Sequence, residues 1–365
     1  MYDFLRIKRI GFSLAGEGRG HAARVVALSQ ILKNRYEIVY FCPETVQAFI
    51  RKHITNPAII TVPALNFVNN GHGIDYVGTL LKTLKCVKTL NRDISGLAEQ
   101  IRRSEISALI SDFEPYASWA AAICDVPVLN LNHPGVILKF LSLSPGAWVA
   151  RSVAALMMPP AHKTIICSFY RGDVGPILRK EIREAQVSSG DYFLVYVKDS
   201  SRVRMRKALS RFTDVQFRVF PNSEEDFTQA LAGCRGVIAP AGHQLISESL
   251  FLGKPVLAIP QRGQFEQRLN ARMLKLSGRG DRGRFRTLEK DLHRFLVGIQ
   301  DYPHAARGFE TFRYDDDTER TAGMIMSFVI ENSSAQPTRR TRFTWYRTIP
   351  EKIEALKNLP VRMPA

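Results

Sequence analysis

The sequence predicts an α/β protein made of two doubly wound units, each a parallel sheet covered by helices on both faces. Three observations lead to this class. Apolar strand patterns alternate with helical patterns of ten or more residues along both halves of the chain. The length of 365 residues fits two domains. Hydrophobic residues make up 45% and charged residues 23%, values that exclude disorder, collagen and coiled coil as the main state.

The predicted elements follow one another in the same order in both halves. In the first half, strand patterns cover 9–14, 37–42, 58–62, 107–111 and 126–131, and helical patterns cover 21–33, 75–103 and a segment starting near Pro115. In the second half, strands are predicted at 191–197, 215–220, 236–239 and 255–259, and helices at 202–212, 224–232, 242–252 and 264–277. We expect Rossmann-like domains at 1–160 and 161–330, a ligand cleft between them, and a basic, aromatic tail at 331–365.

Charge and cysteine usage narrow the partners and the compartment. Lys and Arg total 51 against 34 Asp and Glu, and the net charge of +17 favours nucleic acid, anionic lipid or phosphorylated substrates. Five scattered cysteines without a CxxC or Cys/His cluster indicate a reducing compartment and no zinc site. The sequence has no apolar stretch typical of a signal peptide or membrane span, so we expect a cytoplasmic protein.

A glycine-rich loop at 16–21, GEGRGH, joins the first strand to the first helix. Gly18, Arg19 and Gly20 allow a tight turn and a close approach to an acceptor or a phosphate. His21 takes the place of the third glycine in a dinucleotide-binding loop. An imidazole at a helix N-terminus in a ligand crevice is a candidate general base. The alternative is that His21 caps the helix or packs against it.

Asp112 ends the fourth predicted strand, and the carboxyl ends of parallel strands gather at the edge that carries the glycine loop. A carboxylate there could accept a hydrogen bond from His21, fix its tautomer and stabilise the imidazolium. Asp112 could instead cap the following helix, and Glu114 is the substitute partner if the loop turns differently. His133, which ends the next strand, is interpreted as a structural polar residue before a turn.

Residues 240–271 carry the strongest functional pattern. Gly242 follows a strand and opens a helix, so the amides of Gly242, His243 and Gln244 are candidates for binding a diphosphate. Glu248, six residues after the glycine, could accept both hydroxyls of a ribose. A Gly-Lys-Pro segment follows at 253–255, then Glu266 and Gln267 at the start of the next helix, then Asn-Ala at 270–271.

This set of residues resembles the donor-binding region of GT-B glycosyltransferases. The similarity is to the family of the peptidoglycan N-acetylglucosaminyltransferase and the diacylglycerol glycosyltransferases, and more distantly to UDP-glycosyltransferases. The loop at 16–21 is similar to that of a MurG-like branch. The resemblance implies GT-B architecture, with two Rossmann-like domains facing across a cleft. It also implies inverting transfer of a hexose-type sugar from a nucleotide diphosphate sugar, UDP by family, to an acceptor hydroxyl, without a metal or another cofactor.

The resemblance also implies a role for each candidate residue. His21 would be the base and Asp112 its orienting partner. Glu248 would hold the ribose, and Glu266 and Gln267 the donor sugar. The helix start at 242–244 would stabilise the departing diphosphate in place of a metal ion. The sequence departs from the plant-type signature, since Pro240 stands where that signature has a histidine.

Two other functions, and the role of one apolar segment, stay open. A GT-B epimerase or hydrolase would share the donor motif, and a basic nucleic-acid-binding protein would explain the charge, although no recognition motif for nucleic acid is present. The apolar segment at 136–160 predicts either burial or contact with an anionic membrane. Lipid-linked acceptors are common in the resembling family, and the second interpretation would place the protein peripherally on the inner face of the cytoplasmic membrane.

Overall fold

The computed structural model describes residues 8–64, 68–69, 74–75, 87–140, 145–159, 161–303 and 312–333. The strands are β1 Lys8–Leu14, β2 Tyr36–Cys42, β3 Ala58–Thr61, β4 Val68–Asn69, β5 Ile74–Asp75, β6 Ile106–Asp112, β7 Val128–Asn132, β8 Lys163–Ile166, β9 Tyr192–Tyr196, β10 Gln216–Phe220, β11 Gly236–Ala239, β12 Val256–Ala258 and β13 Gly280–Arg282. The α-helices are α1 Gly20–Leu32, α2 Glu44–His53, α3 Val87–Arg103, α4 Pro115–Ile123, α5 Pro145–Met157, α6 Lys180–Arg183, α7 Asp199–Leu209, α8 Phe227–Gly233, α9 His243–Phe251, α10 Phe265–Leu276, α11 Leu288–Val297 and α12 Thr318–Ser333.

The first sheet is parallel and has the strand order β3-β2-β1-β6-β7-β8. The last five residues of β1 and of β6 are buried, as expected for strands covered on both faces. The chain order reverses between β1 and β6, and a crevice for ligands forms outside the carboxyl ends at such a point. The register pairs Leu14 of β1 with Asp112 of β6. The glycine loop and Asp112 therefore leave the sheet side by side.

The second sheet is also parallel and has the order β10-β9-β11-β12-β13. Its reversal lies between β9 and β11, and α9 starts four residues after β11 ends at Ala239. The helices α9 and α10 follow the adjacent strands β11 and β12, so both begin at the edge that faces the first sheet. The predicted fold class, two Rossmann-like α/β units of GT-B architecture, is confirmed.

Two elements that follow the predicted domain boundaries in the chain belong with the first sheet. β8 follows residue 160 in the chain but pairs with β7 in the first sheet. α12 packs its apolar face, including Ile325 and Phe328, into the core cluster that contains Val25 of α1. The division at residues 160 and 330 stays a prediction, and these contacts place β8 and α12 with the first sheet. The tail from residue 334 lies outside the described residues.

One predicted element is wrong at its start. The amphipathic pattern at 75–103 predicts a single long helix, but Ile74–Asp75 forms strand β5 and pairs antiparallel with β4. The described helix begins at Val87, and residues 76–86 of the predicted helix lie outside the described residues. Within the ranges described, no helix combines the length and the apolarity needed to cross a membrane.

Candidate active site

His21, Asp112 and Arg24 form a buried cluster at the reversal point of the first sheet. Nδ1 of His21 lies 2.8 Å from Oδ1 of Asp112. Arg24, one turn further along α1, donates from Nε to Oδ2 of Asp112 and from Nη2 to Oδ1, both at 2.9 Å. The His21 side chain is 13% exposed, whereas Asp112 and Arg24 are more deeply buried. The structure therefore brings the predicted pair, His21 and Asp112, together and adds Arg24 as a third member.

Arg24 keeps the carboxylate of Asp112 ionised. Burial alone would raise the pKa of Asp112, but the nearby charges of Arg24 and His21 outweigh it and lower that pKa. Nη2 of Arg24 also lies 2.9 Å from Nδ1 of His21. Because the ionised carboxylate of Asp112 can only accept, its 2.8 Å contact with Nδ1 assigns the His21 proton to that nitrogen. Nε2 is then the nitrogen with a free lone pair.

Glu114, the substitute partner in the sequence prediction, has a different task. Its carboxylate accepts hydrogen bonds from the amides of Tyr116, at 2.7 Å, and Ala117, at 2.9 Å, and so caps α4. Phe113 adopts a positive φ of 62° and turns the chain between the two carboxylates. Burial raises the pKa of Glu114 to about 7, against the two amide hydrogen bonds. The capping role considered for Asp112 thus belongs to Glu114.

The glycine loop brings the two domains into close contact. Gly18 has a φ of +69°, which favours glycine, and precedes Arg19, the N-cap residue of α1. A Cβ atom placed on Gly20 would lie 3.2 Å from Cβ of Gln244 in the second domain. The first turns of α1 and α9 therefore approach each other across the cleft, and a side chain at position 20 would press on this contact.

The first turn of α9 presents donors toward the cleft. The Gly242 amide is already bonded to the carbonyl of Pro240 at 2.8 Å, which leaves the amides of His243 and Gln244 as first-turn donors. The predicted set of three amides is thus corrected to these two. Nε2 of His243 accepts from the Phe169 amide at 3.2 Å, so Nδ1 carries the proton in the neutral ring. That Nδ1 is buried and has no hydrogen-bond partner in the described structure.

Glu248 lies one turn further along α9 and is buried. Its Oε1 accepts from Nε2 of Gln244 at 3.1 Å and lies 3.8 Å from Nε of Arg179. Burial raises the pKa of Glu248, while the Arg179 charge and the Gln244 hydrogen bond oppose the rise. Nε of Arg179 is buried without a hydrogen-bond partner among the described residues. The carboxylate is therefore held in place with part of its acceptor capacity unused.

The two candidate residues for the donor sugar differ in how far the protein already uses their side chains. Glu266 is partly exposed, and its Oε1 lies 3.8 Å from Nε2 of the buried His133. Gln267 is buried, and its Oε1 accepts from the Gln261 amide at 2.9 Å, which fixes the loop before α10. The structure thus leaves Glu266 open to a ligand and uses one end of Gln267 for support.

Behind these residues, Asn270 joins the two domains. Its Oδ1 accepts from the Tyr170 hydroxyl at 2.5 Å and lies 2.9 Å from Nε2 of His133, and its Nδ2 donates to the carbonyl of Ala241 at 3.0 Å. His133 stacks on His243 with ring centroids 3.7 Å apart. His133 is therefore a buried structural residue, in agreement with its interpretation from sequence.

The predicted residues converge on one cleft of about 2830 Å³ between the two sheets. Its lining includes Gly18, Arg19, Gly20, His21, Gly242, His243, Gln244, Glu248, Glu266 and Gln267. Asp112 lies directly behind His21.

The sequence analysis missed two residues of the site, Arg24 and Arg179. Arg24 left one signal, a lone charge inside the apolar run 22–28, whereas Arg179 left none. In the part of the chain that is described, no group of three or more His, Cys, Asp or Glu side chains could hold a metal ion.

Comparisons with known proteins agree with this architecture. An uncharacterized glycosyltransferase of Methanosarcina mazei is 24% identical over 330 residues, which cover 74% of this chain and 84% of that protein. MurG of Acinetobacter baumannii has 14% identity and a TM-score of 0.56, with 88% of this chain and 99% of that chain covered. UGT71G1 of Medicago truncatula, crystallised with UDP-glucose, has 15% identity and a TM-score of 0.53, with 98% and 100% covered. The two solved structures show a shared fold.

The family assignment comes from a more extended match. A family model described as Glycosyl transferase family 1 matches residues 8–299, which is well over half of the chain. The chain therefore belongs to glycosyl transferase family 1 and is a glycosyltransferase with the GT-B fold.

Proposed function

We propose that the protein transfers a hexose-type sugar from a UDP-sugar to an acceptor hydroxyl, with inversion at the anomeric carbon and without a metal ion. One observation carries the proposal: the His21 imidazole, held at 2.8 Å by Asp112, lines the same cleft as the first turn of α9, which approaches α1 where Gly20 meets Gln244. A base and a diphosphate-binding helix start on opposite walls are the two parts that a single displacement needs.

The side of the cleft that belongs to the first domain, with His21, Asp112 and Arg24, is here called the first wall, and it supplies proton transfer. Nδ1–H of His21 donates to Asp112, so Nε2 can take the proton of an acceptor hydroxyl. The hydroxyl oxygen attacks the anomeric carbon from the face opposite the diphosphate, the bond to the diphosphate oxygen breaks, and UDP leaves. Asp112 stabilises the imidazolium that forms, and Arg24 keeps Asp112 ionised and oriented.

The side of the cleft that belongs to the second domain, with the start of α9, is here called the second wall, and it supplies donor binding. The free amides at the start of α9 and the unpartnered Nδ1–H of His243 are placed to donate to the leaving diphosphate, so helix end and imidazole replace a metal ion. Glu248 would accept from the ribose hydroxyls, and Glu266 and Gln267 from the donor sugar. The relation to UGT71G1, crystallised with UDP-glucose, supports uridine as the base.

The acceptor side of the cleft supports an apolar, lipid or lipid-linked acceptor. Val153, Ala154 and Met157 of α5 form an apolar cluster with Ala15 and Phe113, next to the glycine loop and His21. On the same helix the Trp148 side chain is 62% exposed. An apolar group of the acceptor would pack on this cluster while its hydroxyl reaches His21, and Trp148 would face a membrane that supplies it.

The test is calorimetry of UDP and UDP-sugar binding, combined with turnover on a panel of lipid acceptors. We expect Glu248→Ala to weaken UDP binding by about tenfold or more, because a charge-assisted pair of hydrogen bonds is lost. His21→Ala should leave UDP binding within about twofold and lower kcat by about 10²–10⁴-fold. Glu289→Ala and His293→Ala, on the exposed face of α11, are the matched controls and should change neither quantity.

Four results would contradict the proposal. Failure of every nucleotide sugar to bind the folded wild-type protein would remove the donor assignment. Sugar release to water without transfer to any acceptor would indicate a hydrolase, and full activity of His21→Ala would remove the base. Loss of activity in EDTA, restored by a divalent cation, would overturn metal independence.

A further inference from the structure

Five of the arginines that line the second-domain side of the cleft are here called the arginine wall: Arg262, Arg268, Arg282, Arg284 and Arg286. They come from consecutive segments of the fold. Arg262 lies in the loop between β12 and α10, Arg268 on α10, Arg282 at the end of β13, and the other two in the turn that follows. The carboxyl ends of two adjacent strands thus concentrate positive charge on one side of the cleft.

No carboxylate in the described part of the chain neutralises the arginine wall. Among the residues described, none of its five side chains takes part in an ion pair of 4.0 Å or less. The acidic neighbours are occupied elsewhere. Asp281 lies 2.9 Å from Nζ of Lys275 and 2.7 Å from Nε of Arg294. Asp291 lies 3.0 Å from Arg294 and accepts from the hydroxyl of Thr287 at 2.7 Å.

Within the wall, Arg282 shows the effect of this crowding. Its Nε is buried and has no hydrogen-bond partner in the described structure. Burial, followed by the charges of Arg284, Arg268 and Arg272, lowers the pKa of Arg282. Like charges held together without counter-charges raise the energy of the empty protein, and an anion in their midst removes that cost.

The segment that carries the wall is rigid. The Gly283 amide donates to the carbonyl of Ala258 at 2.9 Å, and a Cβ atom on Gly283 would lie 2.9 Å from Cγ1 of Ile259. The backbone amide of Arg284 donates to Asp291 at 2.9 Å. From α7, Nη2 of Arg204 donates to the carbonyl of Phe285 at 2.6 Å. Arg282, Arg284 and Arg286 are therefore presented on a turn that hydrogen bonds hold in place.

The position of the wall separates it from the diphosphate site proposed above. That site lies at α9, after β11, whereas Arg282 ends β13, two strands away and about 10 Å along the sheet. Glu266 and Arg268 both lie in the first turn of α10 and both line the cleft, so the wall borders the donor-sugar end of the site. The guanidinium of Arg268 lies over the Phe265 ring at 5.6 Å. An anion bound here would belong to a group near the point of transfer.

We propose that the arginine wall is a second anion-binding subsite, which takes a phosphate or carboxylate group of the acceptor in addition to the diphosphate of the donor. This inference rests on the proposed function, since it assigns a substrate class to the same cleft. An acceptor with an apolar part against α5 and an anionic group against the wall would be fixed at both ends. Such a substrate is an anionic amphiphile, for example a phosphorylated lipid carrying a free hydroxyl.

The test uses inorganic phosphate as probe, with the full chain saturated by UDP so that the diphosphate site is filled. Calorimetry compares wild type with the double variant Arg268→Gln, Arg284→Gln, both exposed positions whose change should not unfold the protein. The control is Arg206→Gln, Arg211→Gln, which removes two exposed charges from the same domain outside the cleft. We expect phosphate binding to weaken by about tenfold or more in the wall variant and by less than about twofold in the control.

The outcomes separate the two proposals. UDP binding with no phosphate binding to wild type, or an equal loss in both variants, overturns the subsite and leaves the donor site standing. Absence of UDP binding overturns the donor site, and the same phosphate titration without nucleotide then still tests the wall. A second experiment determines whether the anionic group that binds the arginine wall belongs to the donor or to the acceptor. If the wall variant binds UDP-glucuronate more weakly but UDP-glucose unchanged, the subsite serves an acidic donor sugar, whereas equal binding of both donors assigns it to the acceptor.

Discussion

The two walls of the cleft differ in how far their polar groups are satisfied. On the first wall, His21, Asp112 and Arg24 bond to one another at 2.8–2.9 Å. On the second wall, three residues that line the cleft each have a buried nitrogen without a hydrogen-bond partner among the described residues: Nδ1 of His243, Nε of Arg179 and Nε of Arg282. Buried polar groups are nearly always paired in folded proteins, so unpaired ones at a cleft indicate where a ligand completes the set.

This difference indicates how the two walls divide the work. The proton-transfer cluster is complete in the absence of ligand, because a general base must be oriented before the acceptor arrives. We expect the second wall to become complete when an anionic ligand binds. We therefore expect changes on the first wall to affect stability and kcat, and changes on the second wall to affect substrate affinity.

The largest effect expected on the first wall comes from Arg24→Met. This change leaves the buried carboxylate of Asp112 without its counter-charge, and breaking such a pair costs about 3–5 kcal/mol of unfolding free energy. Chemical denaturation measures it. Arg19→Met is the control, because that arginine is exposed in the adjoining loop, and it should change stability by less than about 0.5 kcal/mol. Similar losses in the two variants would show that Asp112 does not depend on Arg24.

The domain junction should respond to pH. Burial lowers the pKa of His133 to about 3, and burial together with the charge of His133 lowers the pKa of His243 well below its usual range. The unfolded chain protonates both rings near pH 6.5, so below that pH it binds more protons than the native state. The free energy of unfolding should therefore fall with acid, by about 1.4 kcal/mol per pH unit for each histidine, and the full value should be present above pH 6.5.

Denaturation of wild type and His133→Gln, between about pH 5 and pH 8, measures this dependence. Buried carboxyls with raised pKa values, such as Glu114, act in the opposite direction, so the difference between the two slopes is the informative quantity. We expect the variant to lose about one histidine's share of the acid sensitivity. Identical slopes would mean that His133 can bind a proton in the native state.

How far the sequence predicts the site depends on how local each signal is. The meeting of His21 and Asp112 was predictable, because parallel strands deliver their carboxyl ends to one edge and both residues follow such ends. Asp112 was preferred over its substitute Glu114, but the positive φ of Phe113, which decides between them, is visible only in the structure. The pairing of β8 and the docking of α12 depend on contacts distant in sequence. The unpaired state of the arginine wall likewise becomes visible only once Asp281 and Asp291 are seen bonded to other residues.

On the second wall, His243→Phe tests the unpartnered Nδ1. Phenylalanine keeps the ring that stacks on His133, but it removes the N–H that we assign to the donor diphosphate and also the Nε2 acceptor of the Phe169 amide. UDP affinity should fall by about tenfold to a hundredfold, the loss of one hydrogen bond to a charged group, with kcat affected less than the dissociation constant. Calorimetry with UDP and with uridine separates the effects, because uridine lacks the diphosphate and should bind both proteins equally. Equal loss for both ligands would point to a change in the fold of the pocket.

The smallest expected effect lies where the walls meet, at Gly20→Ala. The added methyl would stand 3.2 Å from Cβ of Gln244, a contact tight enough to push the first turns of α1 and α9 apart by a few tenths of an ångström. Alanine also favours the helix that starts there, by up to about 1 kcal/mol. We expect kcat/KM to fall by about twofold to fivefold while stability stays equal or rises, which separates geometry from folding. Gly96→Ala on α3, where an added Cβ meets nothing within 4 Å, should show the gain in stability without the loss of activity. If Gly20→Ala keeps full activity, the donors of α9 and the base on α1 tolerate a wider gap than their close contact implies, and the separate roles of the two walls would not require the domains to close to this distance.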